Sequence, residues 1–450
     1  MTRSRAALLL AGLVAAVALM RLHTYHEPLD RDLTSYAVIA HELLQGRELY
    51  SDLWDHKPPA IHVTYALGEL LAGYGRSGVY CINVLGAALT LLGAYAAGGM
   101  WAAAYFAVVS GDLALQANQP NVELFLNAAL VWSYALLKRS RPMSAGSLLG
   151  LAVLYKPNAL PAVLLLILAA PLGSARARLK ALAVAAALPI GTVLYFASTG
   201  RAEALFSAVL EYNAAYGGGL LKNLARGLAP WNLLPRCIWM ALPLAAAALC
   251  GARERGWLAA AYAAGTYIAV AAPGRFYPHY YQLWLPPLAL GAAATLAEHR
   301  PRARWALLGL LVALQAPWYR LDAETWSRRK YGPFNVEAER VAAALPSMLG
   351  EGEQVWSGES GVYFASQRRP ASGIVYDLPL REGPLVEDLT RRLASEWERR
   401  PPRVVVLLDR PPLDPALPLA RALGADYQRQ PADPRFPSYA LWRRKRPTSP

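Results

Sequence analysis

The sequence contains few charged residues. Asp, Glu, Lys and Arg account for 17% of its 450 residues, whereas hydrophobic residues account for 55%. Soluble domains usually carry about 25% charged residues, so this deficit excludes an ordinary soluble protein. The apolar runs end near residue 317. The sequence therefore predicts a helical, polytopic membrane region over 1–317 and a polar domain over 318–450.

Cysteine is also scarce, and internal repeats are absent from the sequence. The three cysteines, Cys81, Cys237 and Cys250, form no CxxC pair, and none lies in the polar region. We therefore expect neither a disulfide framework nor a zinc site. Many transporters consist of two related halves, so the lack of a repeat weighs against a transporter or a carrier-lipid flippase. These remain the alternative interpretations, together with a catalytically silent membrane scaffold.

The net charge of +14 reflects basic residues in short loops between apolar segments. Such loops usually face the cytoplasm, so the charge indicates topology rather than a nucleic-acid surface. The basic loops lie near residues 138–141, 176–180, 253–255 and 300–304. Eleven spans fit this pattern, near residues 6–22, 77–96, 99–116, 122–137, 143–155, 159–172, 181–198, 233–250, 257–272, 283–298 and 305–317.

The first span also resembles a signal peptide, but it is long enough to be a retained helix flanked by Arg5 and Arg21. In either case the following loop, 23–76, lies outside the cytoplasm. The C-terminal domain falls on the same side. The sequence thus predicts a multi-pass protein of the plasma (inner) membrane, surrounded by membrane lipids, with its polar groups on the outer face.

The first external loop combines acids and bases in "PLDRDLTSYAVIAHELLQGRELYSDLWDHKPP". Asp30 and Asp32 follow the first span closely, and a carboxylate at the membrane surface can act as a general base. It can equally be a solvated loop residue. The segment "LTSYAVIAHELL" has apolar residues at helical spacing, which predicts a short helix in the membrane interface.

Further titratable groups are expected on the outer face. Glu123 begins a span, and Lys156 precedes a proline that breaks the helical run. Backbone freed by such a break must line a protein-enclosed or watery cavity, which places Lys156 at its edge. Arg275 lies with His279 and Tyr280 in "GRFYPHYY". Lys and Arg suit a phosphate, although both also reach lipid headgroups, and His279 and Tyr280 fit an interfacial aromatic belt.

Two other regions complete the sequence-based prediction. Asp112 falls inside the third predicted span, where an acidic residue is functional, lies near the end of the span, or is paired with a neighbouring helix. The C-terminal domain alternates helical and strand patterns, which predicts a small α/β domain. The predicted helices are "VEAERVAAALPSML" and "EDLTRRLASEWERR", and the predicted strands are "GEQVWSG", "RVVVLLD" and "SYALWRR".

The first external loop resembles that of the GT-C class of membrane glycosyltransferases. The resemblance is to the branch that includes protein O-mannosyltransferases and the aminoarabinose transferases of lipid A. The resemblance rests on three features: an Asp before a "YA" helix, a "G-x-x-x-Y-x-D" turn, and "KPP". The matching residues are Asp32, Tyr36, Ala37, Gly46, Tyr50, Asp52, Lys57, Pro58 and Pro59.

Three later segments are similar to the same class, in the same order. They are "NQPNVELFLNAALVW" with Glu123, "AGSLLGLAVLYKPNAL" with Lys156 and "GRFYPHYYQLWLPPLAL" with Arg275. One departure is Leu33, because many relatives have Glu directly after the first-loop Asp. A metal site built on such an Asp-Glu pair is therefore not expected.

The resemblance implies transfer of a sugar, with inversion, from a polyprenyl-phosphate donor to an acceptor lipid, glycan or protein. It assigns Asp32 as the base, assisted by Glu123, and Lys156 and Arg275 as ligands of the leaving phosphate. Asp30, His56, Lys57, His279 and Tyr280 are the remaining candidates for substrate contact. A divalent cation is compatible with this chemistry, but no motif of defined ligand spacing demands one.

Overall fold

A computed structural model describes residues 2–251, 256–299, 301–409 and 412–445. The predicted cytoplasmic charges of Arg253, Arg255 and Arg300 lie outside the described residues.

The first two thirds of the chain form a bundle of helices. Its helices are α1 (Arg3–His23), α2 (Arg31–Leu44), α3 (Ala60–Ala72), α4 (Arg76–Val109), α5 (Val122–Lys138), α6 (Pro142–Tyr155), α7 (Leu160–Ala169), α8 (Ala175–Ser198), α9 (Ala202–Phe206), α10 (Tyr212–Gly217), α11 (Leu220–Gly227), α12 (Pro230–Leu233), α13 (Leu242–Cys250), α14 (Gly256–Ala271), α15 (Leu285–His299) and α16 (Pro301–Gln315). Among the described helices, α1, α4 and α8 are long and apolar enough to cross a membrane.

The helices overlap the predicted spans, with one correction. The spans predicted at 77–96 and 99–116 correspond to the two helices of α4, which meet at a kink at Gly99, where φ is +78°. The correction concerns the second helix. This helix ends at Val109, so Asp112 lies in a buried loop rather than inside a span. The Asp112 carboxylate accepts hydrogen bonds from the Leu115 N–H (3.0 Å) and from Gln315 Nε2 (2.8 Å). Its contacts therefore stabilise the loop.

Helix α6 packs closely against α8 and ends at the predicted helix break. A Cβ atom at Gly146 would lie 2.6 Å from the Ala181 carbonyl oxygen, so only glycine permits this approach. Small residues four apart commonly bring membrane helices together in this way. At the end of α6 the backbone of Lys156 is extended, with φ −155° and ψ 114°, because Pro157 follows. The predicted break is confirmed.

The C-terminal region contains six helices and four strands among its described residues. They are α17 (Ala323–Tyr331), α18 (Phe334–Met348), β1 (Val355–Ser357), α19 (Ser360–Ser366), α20 (Leu378–Arg381), α21 (Val386–Arg399), β2 (Val404–Leu408), α22 (Pro418–Asp426), β3 (Tyr427–Arg429) and β4 (Tyr439–Arg444). The sheet order is β1-β2-β4-β3, with β1 and β2 parallel and β4 antiparallel to both neighbours. Every helix and strand predicted here is present.

The C-terminal region packs directly on the loop at 23–76, which contains α2. In α2, nine of the fourteen residues are buried, on most faces of the helix. Thr34 Oγ1 lies 2.7 Å from Ser360 Oγ at the start of α19. Protein rather than lipid therefore covers much of α2. Further along the loop, the Trp54 N–H donates to the Gly373 carbonyl oxygen at 3.0 Å.

Substitution of Gly373 by alanine is expected to destabilise this contact. A Cβ atom there would collide with the Asp52 carbonyl oxygen and would lie 2.8 Å from a terminal nitrogen of Arg392. Overpacking of this kind costs about 1–3 kcal/mol. Thermal unfolding of the purified variant should show a lower midpoint. The control is Gly424→Ala in α22, where the space is open, and an unchanged or higher midpoint is expected. A Gly373→Ala protein as stable as that control would contradict the prediction.

Candidate active site

The N-terminus of α2 places Asp32 at the centre of the site. Asp30 caps the helix by accepting a hydrogen bond from the Asp32 N–H at 3.4 Å. Asp32 therefore lies in the first turn, where the helix dipole favours a negative charge.

The electrostatic environment shifts the pKa values of the two aspartates in opposite directions. Burial and the charge of Asp32 raise the pKa of Asp30 to about 6. Burial opposes ionisation of Asp32 as well, but Lys57, Arg31 and His279 outweigh it and hold the pKa of Asp32 below its ordinary value. On acidification Asp30 therefore takes up a proton first. Asp32 keeps its negative charge to a lower pH than Asp30 does.

Glu123 and Lys156 form a buried ion pair beside this carboxylate. Lys156 Nζ donates to Glu123 Oε1 at 2.6 Å, and the Glu123 side chain is 1% exposed. Lys156 Nζ also lies 3.6 Å from the centre of the Tyr280 ring, in cation–π geometry. The second oxygen, Glu123 Oε2, is buried and accepts no hydrogen bond from any described residue.

His279 lies against the same pair. Its Nδ1 is 3.1 Å from Gln116 Oε1, and its ring meets the Tyr280 ring edge-on at 4.8 Å. Burial lowers the pKa of His279 below its ordinary value, although the carboxylates of Glu123 and Asp32 oppose that shift. His279 is consequently a neutral hydrogen-bonding group at pH 7.

Lys57 is the unpaired cation of the site. Among the residues that the structure describes, its ammonium group makes no hydrogen bond or ion pair. Its backbone is held, because the Tyr50 hydroxyl donates to the Lys57 carbonyl oxygen at 2.8 Å. The positive charge of Lys57 acts on Asp32 more strongly than any other charge, and it also acts on Glu123 and His279. An anion bound at Lys57 would not compete with another hydrogen-bond or ion-pair partner for the ammonium group.

Arg275 lies apart from this cluster. Its guanidinium stacks 3.8 Å from the centre of the Tyr216 ring and donates to the Tyr216 carbonyl oxygen at 3.3 Å. It also lies 3.8 Å from Glu382 in the C-terminal region. The structure thus brings together Asp32, Glu123, Lys156, His56, Lys57 and His279 and places Arg275 at the rim.

Sequence reasoning missed three residues that adjoin the cluster. Asp55 and His62 flank the "KPP" segment, and helix α3, which carries His62, was not predicted. Tyr376 comes from the C-terminal region, where no motif distinguished it. Across the described residues, no three His, Cys, Asp or Glu side chains are grouped so that they could hold a metal ion.

Comparison with known proteins gives a match in structure only. No family model matches the chain, and no curated protein matches its sequence. The crystal structure of ArnT from Cupriavidus metallidurans bound to undecaprenyl phosphate matches with a TM-score of 0.61 and 14% identity, over 98% of each chain. The same protein in the apo state matches with a TM-score of 0.60 and 16% identity, over 96% of this chain and 97% of ArnT. This chain has the ArnT fold.

The match to ArnT confirms the resemblance that the four motifs predicted. It extends over the helical bundle and the C-terminal region alike. At this level of identity the likeness establishes the fold, and the reaction must be argued from the residues of the site.

Proposed function

We propose that the protein is an integral membrane glycosyltransferase that moves a sugar from a polyprenyl-phosphate donor to an acceptor hydroxyl on the outer face of the membrane. The juxtaposition of an ionised carboxylate, Asp32, with an unpaired ammonium group, Lys57, carries the proposal. A base and an anion-binding cation are the two groups that the reaction requires. The fold of ArnT, which binds undecaprenyl phosphate, supports the same class of donor.

In the proposed reaction the acceptor oxygen attacks the anomeric carbon from the face opposite the phosphate. The new C–O bond forms as the bond to the phosphate oxygen breaks, and the electron pair leaves with the phosphate. The acceptor proton passes to Asp32. A single displacement of this kind inverts the anomeric carbon.

Donor binding strengthens the base in this scheme. The charge of Lys57 holds the pKa of Asp32 low in the free protein. A phosphate bound to Lys57 adds negative charge beside that ammonium group, which weakens its effect on Asp32 and makes the carboxylate more basic. Glu123 orients the acceptor through its free oxygen, while Lys156 holds Glu123. Arg275 gives one hydrogen bond to the Tyr216 carbonyl oxygen and keeps further N–H donors with which it can contact the phosphate.

The deciding experiment follows the labelled sugar of the donor. The purified protein is incubated with undecaprenyl phosphate that carries radiolabelled mannose or 4-amino-4-deoxyarabinose, together with an extract of envelope lipids and glycans. We expect the label to leave the donor lipid and to appear in an acceptor with inverted configuration. Movement of the intact donor across a vesicle membrane without bond cleavage would instead identify a flippase, and the glycosyltransferase proposal would be abandoned.

Replacement of Lys57 by methionine is expected to weaken phosphate binding. Methionine keeps the length of the side chain and removes the charge, so the affinity for undecaprenyl phosphate should fall about 10- to 100-fold, equivalent to one charge-assisted contact. Binding to the detergent-solubilised protein measures the loss. Lys180→Met, at an exposed position in α8, is the matched control and should bind as the wild type does. Equal affinities for the two variants would remove Lys57 from the donor site.

A further inference from the structure

Asp55 is a buried carboxylate that contacts three side chains beside the site. Its Oδ1 accepts a hydrogen bond from the Tyr376 hydroxyl at 2.9 Å and lies 3.2 Å from His56 Nδ1. Its Oδ2 lies 3.2 Å from His62 Nε2. The Tyr376 oxygen is in turn 3.1 Å from His56 Nδ1. Asp55, Tyr376 and the His56 ring therefore form a closed triangle.

The protons of this triangle can be assigned. Burial disfavours the charged form of Asp55, but the adjoining His56 and His62 hold its pKa well below the usual range, so the carboxylate only accepts. The single hydroxyl proton of Tyr376 must then point at Asp55. The Tyr376 oxygen can contact His56 Nδ1 only as an acceptor. His56 consequently carries its proton on Nδ1 and has a lone pair on Nε2.

We propose that Asp55 and Tyr376 are positioning residues that hold His56 in this tautomer, so that His56 Nε2 accepts a hydrogen bond from a substrate hydroxyl group. The inference rests on the proposed glycosyl transfer, in which both the donor sugar and the acceptor carry hydroxyl groups. Within the described residues Nε2 makes no hydrogen bond, and the His56 side chain is 12% exposed. The free lone pair is therefore open to a ligand.

Two observations separate this arrangement from simple packing. The His56 backbone is already held on both sides, because its N–H donates to Asp55 Oδ1 at 2.7 Å and its carbonyl accepts from Asn213 Nδ2 at 2.7 Å. The contacts to the ring are not needed to hold the loop. In addition, burial and the charge of Lys57 lower the pKa of His56, which keeps the ring neutral at pH 7. A neutral ring retains its acceptor nitrogen.

A set of coupled variants tests the proposal with the same labelled undecaprenyl-phosphate donors. We expect kcat/KM for label release to fall about 10-fold in Tyr376→Phe and about 10- to 100-fold in Asp55→Asn, the range found for groups that orient a functional histidine. A glutamine at position 56 has no tautomer to fix. In a His56→Gln background, Tyr376→Phe and Asp55→Asn should therefore cause no further loss, since residues that act as a unit are not additive.

Tyr439→Phe is the matched control. Tyr439 is also buried in the C-terminal region, and its hydroxyl donates to the Phe334 carbonyl oxygen at 3.1 Å. It should lose stability as Tyr376→Phe does and keep its activity. A higher KM for the donor in Tyr376→Phe assigns the hydroxyl group to the donor sugar, and a lower kcat at unchanged KM assigns it to the acceptor. Both results support the proposal.

Additive losses in the His56→Gln background would overturn this inference alone, because label release by the wild type would leave glycosyl transfer intact. The same holds if Tyr376→Phe and Tyr439→Phe have equal activity. Absence of label release from the wild-type protein would overturn the proposed function and, with it, this inference.

Discussion

An Asp32→Asn protein is expected to fold and to lose about 10²- to 10⁴-fold in turnover, the contribution typical of a positioned general base. Asparagine keeps the shape of the side chain but cannot take the acceptor proton. The substitution also removes a negative charge that faces Lys57 and Arg31, the two cations that act most strongly on Asp32. Single-turnover release of label from the undecaprenyl-phosphate donor gives the rate of the chemical step.

Asp388→Asn provides the control for charge at a helix N-terminus. Asp388 also lies in the first turn of its helix, α21, but it is exposed, and among the described residues its ion pair is with the exposed Arg391. The two variants should unfold at similar temperatures, whereas only Asp32→Asn should lose activity. If the two turn over the donor equally well, another group is the base, and the neighbouring carboxylate of Asp30 becomes the next to test.

The Glu123–Lys156 pair is expected to give the largest effect on stability. Removal of one partner from a buried ion pair leaves an uncompensated charge and costs about 3–5 kcal/mol. Glu123→Gln should be more destabilising than Lys156→Met, because it leaves Lys156 facing the like charge of Lys57. Lys156→Met instead leaves Glu123 near Lys57 and His279. The double variant should recover most of the loss, which thermal unfolding in detergent would measure.

A double-mutant cycle on the exposed pair Asp388–Arg391, whose charged atoms lie 3.2 Å apart, serves as the reference. Its partners are 67% and 76% exposed, and solvent screening should leave no measurable coupling between them. If the stability losses of the two single variants at Glu123 and Lys156 are also additive in the double variant, water reaches the pair and Lys156 does not hold Glu123 in place.

Residues close together in sequence were predicted well. The helix α2, the break at Lys156 and Pro157, and the strands β1, β2 and β4 follow from apolar periodicity and from the geometry that proline imposes on its neighbours. The ArnT fold followed from the order of four motifs rather than from overall composition. The prediction that Asp112 lies inside a span was wrong, because a run of apolar residues does not show where a helix ends.

Pairings between distant residues could not be predicted. The salt bridge of Glu123 with Lys156 joins two helices, and the contact of Arg275 with Tyr216 and Glu382 joins three parts of the chain. Neither pairing is encoded in local spacing. Tyr376 was missed for the same reason, since its partner Asp55 lies 321 residues away and neither residue stands in a motif that includes the other.

That separation has a consequence for biosynthesis. The loop at 23–76 leaves the ribosome early, but the segment that carries Ser360, Gly373 and Tyr376 is made much later, and only then can it dock on the loop. A nascent chain that stops short of that segment has its membrane helices yet lacks the cover over α2. If the proposed function holds, a newly made chain should therefore stay inactive until this segment has been translated and has docked on α2.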